Sequence, residues 1–264
     1  QLSAGKARGL AQAIFQVGGN LGQAIGPLMV PLFLLATGIR GLLFFLILAA
    51  AAGWMTWRIL PWYKRRVEEE RQQQRSLRGH NRPVAVTLLA LVVVLRSWCQ
   101  IGVAGFLPFY YQSHGISLAE AEVYTFIFLG AGALGTFLGG VLSDKFGRKW
   151  LVFGSILAAV PFAWALPHAS GAAAILVLFC FGLTILSSFA ATVVYAHMLL
   201  PGNLAMASGL MIGSGVGAGG IGAALFGSIA DHIGVAAVFN LIVFLPVAAA
   251  LLMVLLPSER KLAS

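Results

Sequence analysis

Arg96 interrupts a long apolar segment, and it is the side chain in this sequence best suited to bind an anion. Residues 84–110 are otherwise uncharged, and Arg96 lies about 13 residues into them, roughly 20 Å along a helix. Burying a guanidinium at that depth of a bilayer costs about 2.5 kcal/mol or more, so we expect it to face protein or a wet cavity. Its several N–H donors suit an anionic group. The alternative is a structural arginine, satisfied by helix-end carbonyls or by a carboxylate from a half of the protein that this sequence does not include.

Polar and aromatic side chains after Arg96 extend this candidate site. They could line the same cavity, and ordinary packing within a helical bundle explains them equally well. Both interpretations stay open. The residues for which we predict substrate contacts are Trp98, Gln100, Phe109 and Tyr110, with Phe106 as a further candidate.

A second charged group lies in the segment GGVLSDKFGRKW, residues 139–150. The two glycines at its start permit close approach of neighbouring helices. The aspartate and the basic residues after it can form a charge network at helix ends, which can hold one conformation and release in another. The alternative is an ordinary basic turn that contains an aspartate. We predict a cytoplasmic gate in this loop, between the fourth and fifth spans, formed by Gly139, Asp144, Gly147, Arg148 and Lys149.

Glycines recur at four-residue steps in the first apolar segment, at Gly18, Gly22 and Gly26, followed by Pro27. This spacing places the glycines on one helix face, where another backbone can approach closely, and the proline favours a bend. Close helix packing alone is a sufficient explanation of the pattern.

An internal repeat is visible in the same region. Residues 9–27 align without gaps with residues 209–227 and share four leucine and glycine positions. If the unit repeats after about 200 residues, the first span is the fifth of six in its half. The chain is then predicted to be a fragment that holds helices five to twelve of twelve.

Residues that can carry a proton are few in the apolar segments. His197 lies near the inner end of one of them, and an imidazole titrates near neutral pH. It is our candidate proton site, although a histidine at a helix end is commonly structural. A carboxylate on helices that precede this sequence is the alternative.

The elements that must position these residues are membrane-spanning helices. Hydrophobic residues make up 59% of the 264 residues, charged residues only 9%, and the mean hydropathy is +0.92, whereas soluble domains carry about 25% charged residues. We therefore predict an all-α polytopic membrane protein in which Cys99 and Cys180 are small core residues. Its eight spans are expected at approximately 8–36, 40–61, 84–112, 117–142, 149–168, 171–198, 204–231 and 234–256.

The net charge of +9 reflects membrane orientation and does not require a nucleic-acid partner. Lysine and arginine concentrate in alternate loops, while the opposite loops hold only Arg40, which places both termini and residues 62–83 in the cytoplasm. Segment 62–83 is a solvated, partly helical connector or, secondarily, a patch for anionic lipid headgroups. We expect it to divide the last two helices of an N-terminal bundle, residues 1–61, from a complete six-helix C-terminal bundle, residues 84–264.

The loop at 139–150 resembles the signature loop of the major facilitator superfamily, in which a G-x-x-S-D-K-x-G-R-K pattern follows a glycine-rich helix. Segments 6–28, 147–170 and 193–232 resemble bacterial drug exporters of that superfamily. The resemblance implies a twelve-helix architecture with eight helices present, in the bacterial inner membrane, and proton-driven export of an antibiotic or a related small molecule. It also implies that the glycine motif ending at Pro27 is of the antiporter type.

The expected partners are a small anionic or amphiphilic substrate, protons and the lipid bilayer, and we expect a monomer without cofactor or metal. A membrane-embedded enzyme would need a nucleophile or clustered His, Asp and Glu, and the sequence offers no such group. Two alternatives to drug export stay open. One is transport of an endogenous organic anion such as a sugar phosphate, and the other is an inactive truncated scaffold.

Overall fold

The computed structural model describes residues 8–74 and 81–259. Within these ranges it contains helices and no strand, so the predicted all-α class is confirmed. Two 3₁₀ segments, Gly38–Leu43 and Leu166–His168, join α1 to α2 and α5 to α6. The α-helices of the described ranges are α1 (Arg8–Thr37), α2 (Phe44–Gln74), α3 (Pro83–Ser113), α4 (Leu118–Phe146), α5 (Arg148–Ala165), α6 (Gly171–Leu199), α7 (Leu204–Ile233), α8 (Val235–Ile242) and α9 (Phe244–Leu255).

Seven helical segments in the described part of the chain are long and apolar enough to cross a membrane. They correspond to the second to eighth predicted spans, and α8 and α9 together form the last of them. The first predicted span forms helix α1. This helix is not among the seven, and several side chains near its C-terminal end lie outside the described part of the chain.

The expected loop between the fourth and fifth spans is almost absent. Helix α4 continues to Phe146 and α5 begins at Arg148, so the loop boundaries predicted from the sequence are wrong by several residues. Gly147 alone joins the two helices, with a φ of +91° that favours glycine. Asp144 therefore lies on the last turn of α4, in a position fixed by the helix.

The last predicted span is divided. Helix α8 ends at Ile242 and α9 begins at Phe244. Pro246 lacks the N–H that would donate to the carbonyl of Ile242, four residues earlier. This missing hydrogen bond accounts for the break in an otherwise continuous apolar segment.

Glycines bring α1 and α6 close to two adjacent faces of α4. Gly139 of α4 lies against the backbone of Ser187 on α6, and Gly140 lies against Gly9 on α1. A Cβ atom at Gly139 or Gly140 would overlap the neighbouring backbone. The three helices can therefore cross at this level only because these positions have no side chain.

Several helices begin or end at the same end of the molecule, where hydrogen bonds join them. The backbone N–H of Arg82 donates to the carbonyl of Leu199 over 3.0 Å, and that of Gly9 donates to the Asp144 carboxylate over 3.1 Å. We call this the basic end, because Arg82, Lys145, Arg148 and Lys149 lie there. Helices α1, α3, α5 and α7 begin at it, and α4, α6 and α9 end at it.

Helix α2 differs from the others in its surroundings. Every residue from Leu46 to Lys64 is exposed, including the large aromatic residues Trp54, Trp57 and Trp62. Its length and apolar composition are those of a membrane span.

Candidate functional site

Arg96 is enclosed near the middle of α3, a helix of 31 residues. Its side chain is 1% exposed, and the guanidinium carbon lies 4.3 Å from the ring centroid of Phe189 on α6, a cation–π contact. Within the described residues, its Nε and Nη1 atoms have no hydrogen-bond partner. A buried donor left unpaired costs about 1–3 kcal/mol, and more when it is charged. Arg96 thus keeps, within the described residues, donors that an anion can use.

Contacts with α7 set the rotation of α3. The Ser97 hydroxyl donates to the carbonyl of Gly215 over 2.5 Å, and the indole N–H of Trp98 donates to the carbonyl of Ala218 over 2.6 Å. Gly222 leaves the space that the Trp98 ring occupies. Since successive helical residues differ by about 100° in direction, fixing Ser97 and Trp98 on α7 turns Arg96 towards α6.

A polar face of α1 meets the same region. Gln16, Asn20 and Gln23 are spaced by four and three residues and therefore share one face of the helix. The Gln100 amide of α3 donates to Gln23 over 3.3 Å. Asn20 donates to the hydroxyl of Thr136 on α4 over 2.7 Å.

The Gln16 amide nitrogen is buried and, within the described residues, has no hydrogen-bond partner. We call Arg96, Gln100, Gln16, Asn20 and Gln23 the central polar cluster. Gln100 lies one turn from Arg96 on the same face of α3, so the cluster continues from α3 onto α1. It offers N–H donors from two helices in the interior of an apolar bundle.

The sequence analysis predicted Arg96 and Gln100 for this site and missed the residues on α1. Their signal was present in the sequence as three polar side chains at helical spacing in an apolar helix. Phe189, which covers the guanidinium, carries no such signal because one phenylalanine among many apolar residues looks like core.

The other predicted substrate contacts lie elsewhere. Trp98 points to α7, as described above. Phe109 is 59% exposed, and the Tyr110 hydroxyl donates to the carbonyl of Pro167 over 3.0 Å. These two residues are about 20 Å along α3 from Arg96, at the end of the bundle opposite the basic end. The structure therefore does not bring them together with the central polar cluster.

The predicted gate residues do meet at the basic end. The Asp144 carboxylate accepts hydrogen bonds from the backbone N–H groups of Gly9 and Leu10, both over 3.1 Å. It also forms an ion pair with Arg148 at 2.9 Å. A carboxylate at a helix N-terminus satisfies free N–H groups and interacts favourably with the helix dipole. Asp144 therefore links α1, α4 and α5.

Glu259, which the sequence analysis did not single out, completes this network. Its carboxylate pairs with the Arg148 guanidinium at 3.3 Å and accepts from the backbone N–H groups of Arg148 and Lys149 at the start of α5. The Lys149 ammonium donates to the carbonyls of Val254 and Leu256 at the end of α9. We call Asp144, Arg148, Lys149 and Glu259 the terminal charge network.

The remaining predicted residues have simpler surroundings. The His197 Nε2 atom lies 2.6 Å from the Ser208 hydroxyl, which joins the end of α6 to the start of α7. A Cβ atom at Gly18, Gly22 or Gly26 would meet no atom of the described structure within 4 Å. The glycine face of α1 is thus open among the described residues, unlike Gly139 and Gly140 on α4.

Comparison with known proteins places this geometry in a family. The family model described as Major Facilitator Superfamily matches residues 1–121 and 89–264. The chain therefore belongs to the major facilitator superfamily, a family of membrane transporters and not of enzymes.

Two bacterial relatives match nearly the whole chain. An uncharacterized MFS-type transporter, YfnC of Bacillus subtilis (strain 168), is 40% identical over 270 residues, which cover 99% of this chain and 66% of the relative. The fosmidomycin resistance protein of Escherichia coli (strain K12) is 35% identical over 270 residues, which cover 98% of this chain and 65% of the relative. The chain thus spans a little under two thirds of the length of the curated relatives it matches. The resemblance predicted from the signature loop is confirmed.

Proposed function

We propose that the protein is a proton-coupled exporter of a small organic anion, of the fosmidomycin-resistance type. The observation that carries this proposal is the buried Arg96 with two unpaired donors. Arg96 has no carboxylate partner among the described residues, whereas Arg148 has two, and an uncompensated buried charge is unfavourable unless a ligand or another group pairs with it. Fosmidomycin, after which the E. coli relative is named, carries a phosphonate, which is a suitable acceptor for a guanidinium.

The central polar cluster can bind such a group from two sides. A phosphonate can accept charge-assisted hydrogen bonds from the guanidinium of Arg96, whose Nε and Nη1 atoms, on different edges of its plane, are unpaired among the described residues. The amides of Gln100 and Gln16 supply further donors from α3 and α1. Substrate binding would then satisfy groups that are unsatisfied in the free protein, and this is a source of binding free energy.

The terminal charge network can act as the gate of an alternating-access cycle. In our assignment α1 belongs to the N-terminal bundle, residues 1–61, and α3–α9 to the C-terminal bundle, residues 84–264, with 62–83 as connector. Asp144 then bonds across the two bundles. Opening the basic end would require Asp144 to release Gly9 and Leu10, while the bundles rock about the central site.

Orientation and proton coupling complete the proposal. The basic end faces the cytoplasm of a bacterial cell, following the distribution of lysine and arginine. His197 is our candidate for proton exchange, because an imidazole titrates near neutral pH. The open glycine face of α1 that ends at Pro27 is assigned to antiporter-type helix movement.

The test is fosmidomycin tolerance in a sensitive, exporter-deficient bacterium that expresses the protein as its gene encodes it, with and without a protonophore. We expect tolerance that falls when the proton gradient collapses, with a parallel rise in drug accumulation. Arg96→Ala should remove tolerance while the protein still inserts into the membrane. Arg58→Ala, which changes an exposed arginine on α2, is the matched control and should keep tolerance.

Two outcomes would contradict the proposal. Wild-type tolerance in Arg96→Ala would exclude the assigned role of this residue. No tolerance in the wild type, with expression confirmed, would exclude fosmidomycin and favour a different organic anion such as a sugar phosphate. Binding of sugar phosphates to the purified protein would then be measured, again with Arg96→Ala.

A further inference from the structure

A cavity opens at the basic end, about 20 Å along α3 from Arg96. Its volume is about 630 Å³, and it lies between the start of α3, the start of α5 and the end of α9. Two cationic residues, Arg82 and Lys149, line it, and no acidic side chain does so among the described residues. The other lining residues include the apolar Val84, Leu88, Val254 and Leu255.

Charge and apolar surface are arranged in a definite order in this cavity. Arg82 immediately precedes α3, and Leu88 lies six residues further, about 9 Å along the helix axis. Val84 is 73% exposed and Leu255 is 68% exposed, so these apolar side chains lie on the outside of the described bundle. The charged groups therefore lie at the membrane surface, and the apolar wall runs inward from them.

Both charged side chains that line this cavity among the described residues are cationic. The hydrogen bonds from the Lys149 ammonium to the carbonyls of Val254 and Leu256 hold it at the cavity wall. Glu259 follows the lining residues in sequence, but its carboxylate pairs with Arg148 and the start of α5. It does not line the cavity.

We propose that this cavity binds one anionic phospholipid from the leaflet at the basic end. The phosphate would lie between Arg82 and Lys149, and an acyl chain would lie along Val84, Leu88 and Leu255. Basic pockets between transmembrane helices recognise anionic headgroups in this way. A zwitterionic lipid has the same chains but no net charge for the two cations. The site is separate from the central polar cluster and does not depend on which substrate is transported.

Native mass spectrometry of the purified protein tests this assignment. The protein is titrated with dioleoyl phosphatidylglycerol or with dioleoyl phosphatidylethanolamine, which carries the same acyl chains. We expect one phosphatidylglycerol to be retained preferentially. Arg82→Ala should weaken its binding about fivefold, which corresponds to the loss of one basic residue near a lipid surface. Arg58→Ala is the matched control, because that guanidinium stacks over Trp54 outside the cavity, and it should bind as the wild type does.

A second variant tests the proposal independently if Arg82→Ala does not fold. Ser258→Glu keeps Arg82 and places an acidic side chain in the lining, so it should abolish the preference for phosphatidylglycerol. Equal binding of the two lipids by the wild type would overturn the proposal, as would wild-type binding by both cavity variants. Displacement of the lipid by millimolar inorganic phosphate would assign the site to a free anion and would also overturn it.

Discussion

Two arginines in this bundle, Arg148 at the basic end and Arg96 at its centre, are held in opposite ways. Arg148 is partly exposed and has two carboxylate partners, Asp144 at 2.9 Å and Glu259 at 3.3 Å. Arg96 is buried against the ring of Phe189, and two of its nitrogen atoms are unpaired among the described residues. The paired arginine stabilises one arrangement of helix ends. Arg96 has no such carboxylate partner among the described residues and keeps N–H donors for a ligand.

The largest expected effect comes from replacing Arg96 with methionine. Loss of two charge-assisted hydrogen bonds to the substrate, each about 1.5–3 kcal/mol, should lower transport about 100-fold or more. Thermal stability should stay the same or rise, because an apolar side chain replaces an unpaired buried charge. Transport assays and thermal unfolding in detergent measure the two quantities. A clear loss of stability with normal transport would show that Arg96 is a structural residue, and it would contradict the proposed difference between Arg96 and Arg148.

The next largest effect is expected on stability, at the contact between Gly140 of α4 and helix α1. Gly140→Ala would place a Cβ against Gly9 and Ala13 of α1, and overpacking of this kind costs about 1–3 kcal/mol. Gly130→Ala is the matched control on the same helix, since its Cβ would meet only the Phe126 ring at 4.0 Å. The two melting temperatures should differ by several degrees. Equal values would show that α1 moves away from α4 without penalty.

Replacing Asp144 tests the charged part of the gate. Asp144→Asn keeps one oxygen, which can accept from either Gly9 or Leu10, but loses the second acceptor and the ion pair with Arg148. Asp144→Ala loses all of these interactions. We expect the basic end to open more often, by a factor of about 5 for Asn and more for Ala, since each contact contributes about 1 kcal/mol.

The readout for these variants is thiol labelling of Ser143→Cys, which is buried in the closed structure. It is made in a background where the native Cys99 and Cys180 are replaced. A membrane-impermeant reagent should label this position faster in both Asp144 variants. Unchanged labelling rates would show that Asp144 does not control opening of the basic end and acts only as a cap of helix α1.

The smallest effect is expected at Gln100. Gln100→Ala removes the hydrogen bond to Gln23 and one substrate donor, together about 1 kcal/mol. The KM for transport should rise about fivefold with little change in the maximal rate. A change confined to the maximal rate would indicate that this amide acts in the conformational step.

The helices could be predicted from the sequence because lipid leaves few choices. A chain in hydrocarbon must satisfy its backbone hydrogen bonds internally, so long apolar segments become helices. The residues at which the helices begin and end were not predicted correctly. Asp144 was expected in a loop, yet α4 continues past it because Gly147 alone can make the turn. Pro246 was read as part of one span, although it divides α8 from α9.

The internal repeat shows a second limit. Gly22 and Gly222 occupy equivalent positions in the aligned segments 9–27 and 209–227. In the structure, Gly222 makes room for Trp98, whereas Gly22 has open space within the described residues. The same glycine spacing thus has two surroundings, because a spacing determines which residues share a helix face but not which neighbour that face meets.

The sequence by itself determined that this chain crosses a membrane, which residues lie deep in it, where its charges concentrate and to which family it belongs. These properties follow from local composition and periodicity. Only the tertiary structure decided that Arg96 faces Phe189, that Gln23 of α1 reaches Gln100 and that Glu259 pairs with Arg148, a residue 111 positions away. Such contacts depend on the rotation and neighbours of each helix. Many distant packing contacts set these together, and no segment of the sequence contains them alone.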